Sequence, residues 1–137
     1  MIGTWIATAF ATAISFLALD SIWLSLAASR LYRPRLGSLL LERFNMAPAA
    51  AFYLIYLGGI LVFAIAPALS AGRWTTALMR GAMLGLVAYA TYDLTNQATL
   101  RGWSITVTIA DLCWGSFVTA TAATIGFTVA RWMLARG

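Results

Sequence analysis

Residues 5–28 read WIATAFATAISFLALDSIWLSLAA, an apolar run broken by a single acid, Asp20, with no basic residue ahead of Arg30. A helix needs roughly 20 mainly apolar residues to cross about 30 Å of hydrocarbon, and this run is long enough. Leu26-Ala27-Ala28-Ser29 has the small residues of a cleavage point. The run is nevertheless too long for a secretory leader, lacks a basic segment before it and contains Asp20. It reads as a membrane helix.

Working outward, three more stretches qualify, at about 47–69, 74–100 and 103–134. The composition agrees: of 137 residues, 62% are hydrophobic and 9% charged, and the mean hydropathy is +0.86. Soluble domains are about 45–50% apolar and about 25% charged, so this chain lacks the polar residues to cover a water-facing globule. The expectation is all-α, an integral membrane four-helix bundle forming one transmembrane domain over residues 1–137. The links after the second and third spans are only a few residues long, which makes those neighbours antiparallel hairpins.

The one substantial connection, 29–46, carries Arg30, Arg33, Arg35, Glu42 and Arg43. After the breaker Pro34, Leu36, Leu39, Leu40, Leu41 and Phe44 recur at roughly helical spacing. That predicts a short amphipathic helix on the membrane surface between helices 1 and 2, as an anchor or as a contact for anionic lipid headgroups.

Several function classes drop out. One cysteine allows no internal disulfide, and the absence of histidine removes the commonest ligand of zinc, haem and non-haem iron sites. No metal and no cofactor is expected. The formal charge of +5 comes from nine basic residues, all arginine, placed at the ends of apolar stretches as membrane proteins place them, so no nucleic-acid partner is expected. The partners expected are membrane lipids. Arg30, Arg33, Arg35, Arg43 and Arg101 fall on one face, and Arg73, Arg80, Arg131 and Arg136 on or near the other. The cluster after the first span favours that loop in the cytoplasm and both termini outside. The near balance also permits insertion both ways and an antiparallel dimer. Trp5, Trp74 and Trp132 sit at the terminal face and Trp103 at the other, as an aromatic belt requires, whereas Trp23 and Trp114 lie deeper.

The informative residues are the acids. Of four in the chain, Asp20, Asp93 and Asp111 lie inside spans. A carboxylate at membrane depth costs a few kcal/mol on insertion scales and normally faces protein or water. Asp20 is ten residues before Arg30, Asp93 eight before Arg101 and Asp111 ten after Arg101. At about 1.5 Å per residue, all three lie roughly 12 to 15 Å inward of those arginines, in one layer.

Each acid sits on a polar stripe. Gly81, Gly85, Tyr89, Tyr92, Asp93 and Asn96 share one face of the third span, beginning with a GxxxG motif that permits close helix contact. Ser104, Thr108, Asp111, Trp114 and Gly115 do the same on the fourth, and Phe16, Asp20, Trp23 and Ala27 on the first. Asp20 to Ser25 and Asp111 to Ser116 share the pattern DxxWxS. Either internal symmetry or the narrow residue choice of apolar spans explains it. Elsewhere, Cys113 reads as an inert small core residue and Arg80 as snorkelling to the terminal face. Gly58-Gly59 reads as close-packing material, and Pro48 and Pro67 as the ends of the second span. Tyr32, Glu42 and Asn45 are placed to close the acidic layer from the loop side.

At these residues a likeness appears. The ALDxxWL run around Asp20, Tyr32-Arg33 with Leu36-Gly37, Phe52 to Tyr56 (FYLIY), Ala66-Pro67-Ala68-Leu69, Tyr89 to Asn96 (YATYDLTN) and Ala110 to Gly115 (ADLCWG) resemble the DUF2177 family of bacterial membrane proteins. The resemblance covers nearly the whole chain and implies a small four-helix protein of the bacterial inner membrane, multi-pass, with no established activity to transfer.

Three functions are compatible with the residues. The first is a transporter- or channel-like protein, expected as a homodimer because one copy has little room for a pathway. Its Asp20, Asp93 and Asp111 bind protons, a cation or a small-molecule ligand, with Tyr89, Tyr92, Asn96, Trp23 and Trp114 lining the site. The second is a membrane enzyme acting on a lipid or isoprenoid by acid/base chemistry, which requires a lipid-sized groove reaching the acidic layer. The third is a structural or accessory subunit, with the acids as interhelical glue.

Overall fold

The computed structural model describes residues 1–137, and every regular element in it is helical. Helix α1 spans Ile2–Ala27 and runs through a π turn, Ala28–Tyr32, into the short α2, Arg33–Leu36, and a 3₁₀ turn, Gly37–Leu39. Helix α3, Met46–Ile60, passes through a second π turn, Leu61–Ile65, into α4, Ala66–Ala71; α5 is Trp74–Thr99 and α6 Ile105–Leu134. The connections use the two left-handed residues of the chain, Gly72 at φ 67° and Gly102 at φ 76°, a conformation that costs glycine nothing sterically.

Both π turns end two residues before a proline, Pro34 and Pro67. Proline has no N–H to give, and its ring collides with the carbonyl four residues back, here Arg30 and Phe63. Widening that turn by one residue relieves the collision without ending the helix. At Arg30 the carbonyl takes a replacement donor, the Arg35 guanidinium at 3.3 Å. Pro67 therefore lies within a continuous helical stretch, Met46–Ala71, and does not mark its end. The helix expected after Pro34 is shorter than its leucine spacing suggested: it closes at Leu39, and residues 40–45 are irregular.

Contacts fall off in opposite order along neighbouring helices, which fixes an up-and-down arrangement. Phe16 of α1 meets Tyr56 of α3, Asp20 meets Trp114 of α6, and Gly81 and Gly85 of α5 face Ala123 and Gly115 of α6. Small residues set the α5–α6 distance. A Cβ on Gly81 would sit 2.9 Å from the Ala120 Cα and the Thr119 carbonyl, and one on Gly85 would run into the Gly115 backbone. Backbones in contact over such a face gain dispersion energy in a solvent that offers no hydrophobic drive. By contrast, nothing lies within 4 Å of a Cβ on Gly58, and Gly59 meets only Phe63 of its own stretch. That glycine pair does not mediate helix packing.

The distribution of polarity is that of a membrane protein. Phe10, Ile14, Leu54 and Ile55 are each more than 60% exposed, while Thr8, Thr12, Asp20, Asp93, Thr108, Asp111 and Thr119 are buried. Thr8 and Thr12 return their hydroxyls to their own helix, Thr12 to the Thr8 carbonyl at 2.8 Å. Three helical stretches are long and apolar enough to cross a membrane: Ile2–Leu39, Met46–Ala71 and Ile105–Leu134. Helix α5 matches them in length, with 26 residues, but falls short in apolarity. Arg80, Asp93, Asn96 and Gln97 interrupt it, and packing against α6 and the second π turn holds it in the bundle.

Candidate functional site

Asp20 lies on the inward face of α1, 8% exposed, and both its oxygens have donors. Tyr53 Oη gives its proton to Oδ2 at 2.5 Å, and Trp114 Nε1 donates to Oδ1 at 3.2 Å. On α6, Asp111 is 7% exposed and its Oδ1 accepts from Tyr32 Oη at 2.5 Å. Tyr32 in turn accepts from Trp23 Nε1 at 2.8 Å. The two indoles stack, ring centres 4.8 Å apart and planes within 7°. The stacked tryptophans thus reach two acids on different helices, Trp114 by donating to Asp20 and Trp23 by donating to the phenol that serves Asp111.

Tyr32 reaches Asp111 because of the π turn. Its residue closes that wide turn, so its side chain leaves α1 rotated from where an uninterrupted α-helix would send it. Tyr53 reaches Asp20 from α3, where Tyr53 and Tyr56 are a helical turn apart and both pack edge-on against Phe16. The Tyr56 hydroxyl goes to Thr119 of α6 at 2.7 Å.

Asp93 differs from the other two. It is fully buried, and neither carboxyl oxygen has a hydrogen-bond donor. The carboxyl of Asp111 lies within hydrogen-bond reach of it across the α5–α6 contact. Two carboxyls in contact hydrogen-bond to each other only when a proton sits between them.

On the loop side, Asp111 faces a cavity of about 730 Å³, within the size range of small-molecule sites. Leu24, Ala28, Leu36, Leu39 to Leu41, Phe44 and Val107 form its apolar wall; Tyr32, Arg33, Glu42, Asn45, Tyr92 and Trp103 supply the remaining functional groups. Helices α1 and α6 form its sides, and the segment from Gly37 to Asn45 covers it. Asn45 holds its place by capping α3, accepting from the Ala47 N–H at 3.3 Å. Tyr92, 61% exposed, stands at the cavity edge with its ring perpendicular to that of Trp103.

The eight residues singled out from sequence divide accordingly. Asp20, Asp93, Asp111, Trp23 and Trp114 meet in one layer. Tyr92 lines the cavity beside it. Tyr89, half-buried, packs its ring against Gly115, where an added Cβ would strike it, and lies within electrostatic reach of Asp20 and Asp111. Asn96 is half-buried one turn beyond Tyr92 and does not line the cavity. Tyr32, Glu42 and Asn45 close the site from the loop side as their positions suggested. Tyr53, Arg33 and Trp103 were not anticipated at the site. Cys113 is exposed, not a core residue; two positions past Asp111 on a helix, it points to the opposite side.

Comparison with known proteins agrees with this architecture. A family model described as predicted membrane protein (DUF2177) matches residues 5–128. The chain belongs to that family. No curated protein and no solved structure matches it. The matched region contains all three buried aspartates, both stacked tryptophans and the whole cavity wall, so the layer lies within the part of the chain that defines DUF2177.

Proposed function

We propose that this chain is a multi-pass protein of the bacterial inner membrane that exchanges protons at the Asp93–Asp111 pair, in the manner of a small transporter. The observation that carries the reading is Asp93: fully buried, without a donor on either oxygen, and set against an acid that opens on a cavity. Leaving a buried acceptor unpaired costs about 1–3 kcal/mol. Two carboxyls in contact remove that cost by holding one proton between them, as paired aspartates do elsewhere. Asp111 is then the member that meets ligand or water, and Asp93 the reservoir behind it.

Asp20 has a different role in this reading. With donors on both oxygens it fixes helix register, which is the structural part once open to all three acids. No group of three or more acidic or cysteine side chains converges as a metal-ion site, so the reading is for a proton and not a bound metal. Two copies are proposed to assemble in the bilayer, since one four-helix chain has little room for a through path.

The test is proton flux. Liposomes containing the purified protein and an internal pH indicator, driven by an imposed membrane potential, are expected to show flux that is lost in Asp93→Asn. Flux equal to that of protein-free liposomes overturns the reading. A second reading, acid/base chemistry on a lipid or isoprenoid, is favoured by one observation, the apolar-walled cavity that ends on Asp111. Conversion of an added isoprenoid alcohol or phospholipid by the purified protein, without proton flux, would replace the first reading with the second.

A further inference from the structure

The cavity itself specifies a ligand. At its inner end Asp111 Oδ1 is occupied by Tyr32, whose hydroxyl oxygen already accepts from Trp23. No side chain donates to Oδ2. Behind it stands Asp93, whose one donor is the proton it shares with Asp111. Acceptors therefore outnumber donors, and an occupant that brings N–H or O–H groups completes the site, whereas a purely apolar one leaves it deficient.

Charge narrows the choice. Arg33 and Glu42 both line the cavity, so their formal charges sum to zero. With one proton shared across the Asp93–Asp111 pair, the inner end holds a single net negative charge. A neutral alcohol leaves that charge buried and uncompensated, an anion adds to it, and a monocation cancels it. The rings of Tyr92 and Trp103 border the same space, and aromatic faces attract a desolvated cation. The remaining wall, Leu24, Leu36, Leu40 and Phe44 among others, accommodates an apolar body.

We infer that the cavity binds a lipophilic amine, its ammonium group on Asp111 and its apolar body beneath the segment from Gly37 to Asn45. The inference deepens the proton-exchange reading and uses its shared proton, but it is tested separately. The protein in lipid nanodiscs is titrated calorimetrically with 2-phenylethylammonium, 2-phenylethanol and phenylacetate, and the signal of empty nanodiscs is subtracted. The amine is expected to bind at least tenfold more tightly than the alcohol, and phenylacetate not at all. Amine affinity is expected to fall at least tenfold in Asp111→Asn. It should also fall in Leu40→Trp, which fills the cavity from an irregular, half-exposed position and leaves the helices untouched. Equal affinity for amine and alcohol overturns the inference, as does amine binding retained in Leu40→Trp. Amine binding without proton flux overturns the exchange reading alone. Proton flux without amine binding overturns this inference alone.

Discussion

Trp23 and Trp114 stack face to face, and each serves the acid of the other's helix. Trp114, on the helix of Asp111, donates to Asp20; Trp23, on the helix of Asp20, donates through Tyr32 to Asp111. The shared DxxW spacing on two antiparallel helices thus acquires a physical meaning. It places two indoles between two carboxylates so that the helices are cross-braced in both directions. Tyr53 and Tyr32 complete the correspondence, one phenol on each acid.

Trp114→Phe keeps most of the stack and removes a donor from a buried carboxylate. The expected loss is about 1–3 kcal/mol, read as a lowered unfolding midpoint in detergent. Because Tyr53→Phe removes the other donor from the same group, the two changes should not add. A double-mutant cycle is expected to return a coupling of about 0.5–3 kcal/mol, the size typical of residues in one network.

Asp93→Asn should behave in the opposite way. The amide gives Asp111 a fixed N–H donor in place of the exchangeable proton of the native pair. Stability is expected to rise by about 1 kcal/mol, while proton flux disappears. A substitution that stabilises and inactivates together identifies a group retained for chemistry and not for folding. A lowered unfolding midpoint in Asp93→Asn would contradict this.

Tyr32→Phe interrupts the bridge between Trp23 and Asp111, orphaning the indole N–H at one end and the carboxylate Oδ1 at the other. A destabilisation of about 1–3 kcal/mol is expected. The broken contact should also shift the tryptophan fluorescence, since the Trp23 indole loses its acceptor. An unchanged emission spectrum would show that the bridge is not formed in the membrane.

Glycine substitutions separate close packing from open space. Gly85→Ala puts a methyl group into the Gly115 backbone, which cannot turn aside, and should cost about 1–3 kcal/mol through overpacking. Gly58→Ala meets nothing and should be neutral or favourable by up to about 1 kcal/mol, the ordinary gain of alanine over glycine within a helix. Paired unfolding measurements on the two variants test the assignment of the α5–α6 contact.

The bundle was legible because two regularities survive in an apolar sequence. Helical periodicity marked the packing stripes through Gly81, Gly85 and Asp93 on α5 and through Thr108, Asp111 and Gly115 on α6. Depth counted from the arginines put three acids in one layer. The same arithmetic applied to the tyrosines would have found Tyr53: it lies seven residues into α3 from Met46, roughly 10 Å deep and level with Asp20. It went unnoticed because α3 is so uniformly apolar that no stripe singled it out. The π turns were not readable, since a proline after an apolar run signals an end unless the preceding turn can widen, and packing decides that. The ring of Tyr89 is also the counterpart that explains why position 115 is glycine. The shortfall of α5 in apolarity was visible in Arg80, Asn96 and Gln97, but its length outweighed them.

The widened turn between Ala28 and Tyr32 has a consequence for how this chain can vary. The wide turn already absorbs one residue more than ordinary winding would, so a further insertion there would swing everything downstream by about 100°, carrying the phenol away from its carboxylate and the roof segment off the cavity. Substitutions at Ser29, Arg30 and Leu31 are comparatively free, because none of the three is buried. A change of length is not. The spacing from Asp20 to Tyr32 is therefore under tighter constraint than the identity of most residues between them, and the proline behind it acts as a ratchet that keeps the count.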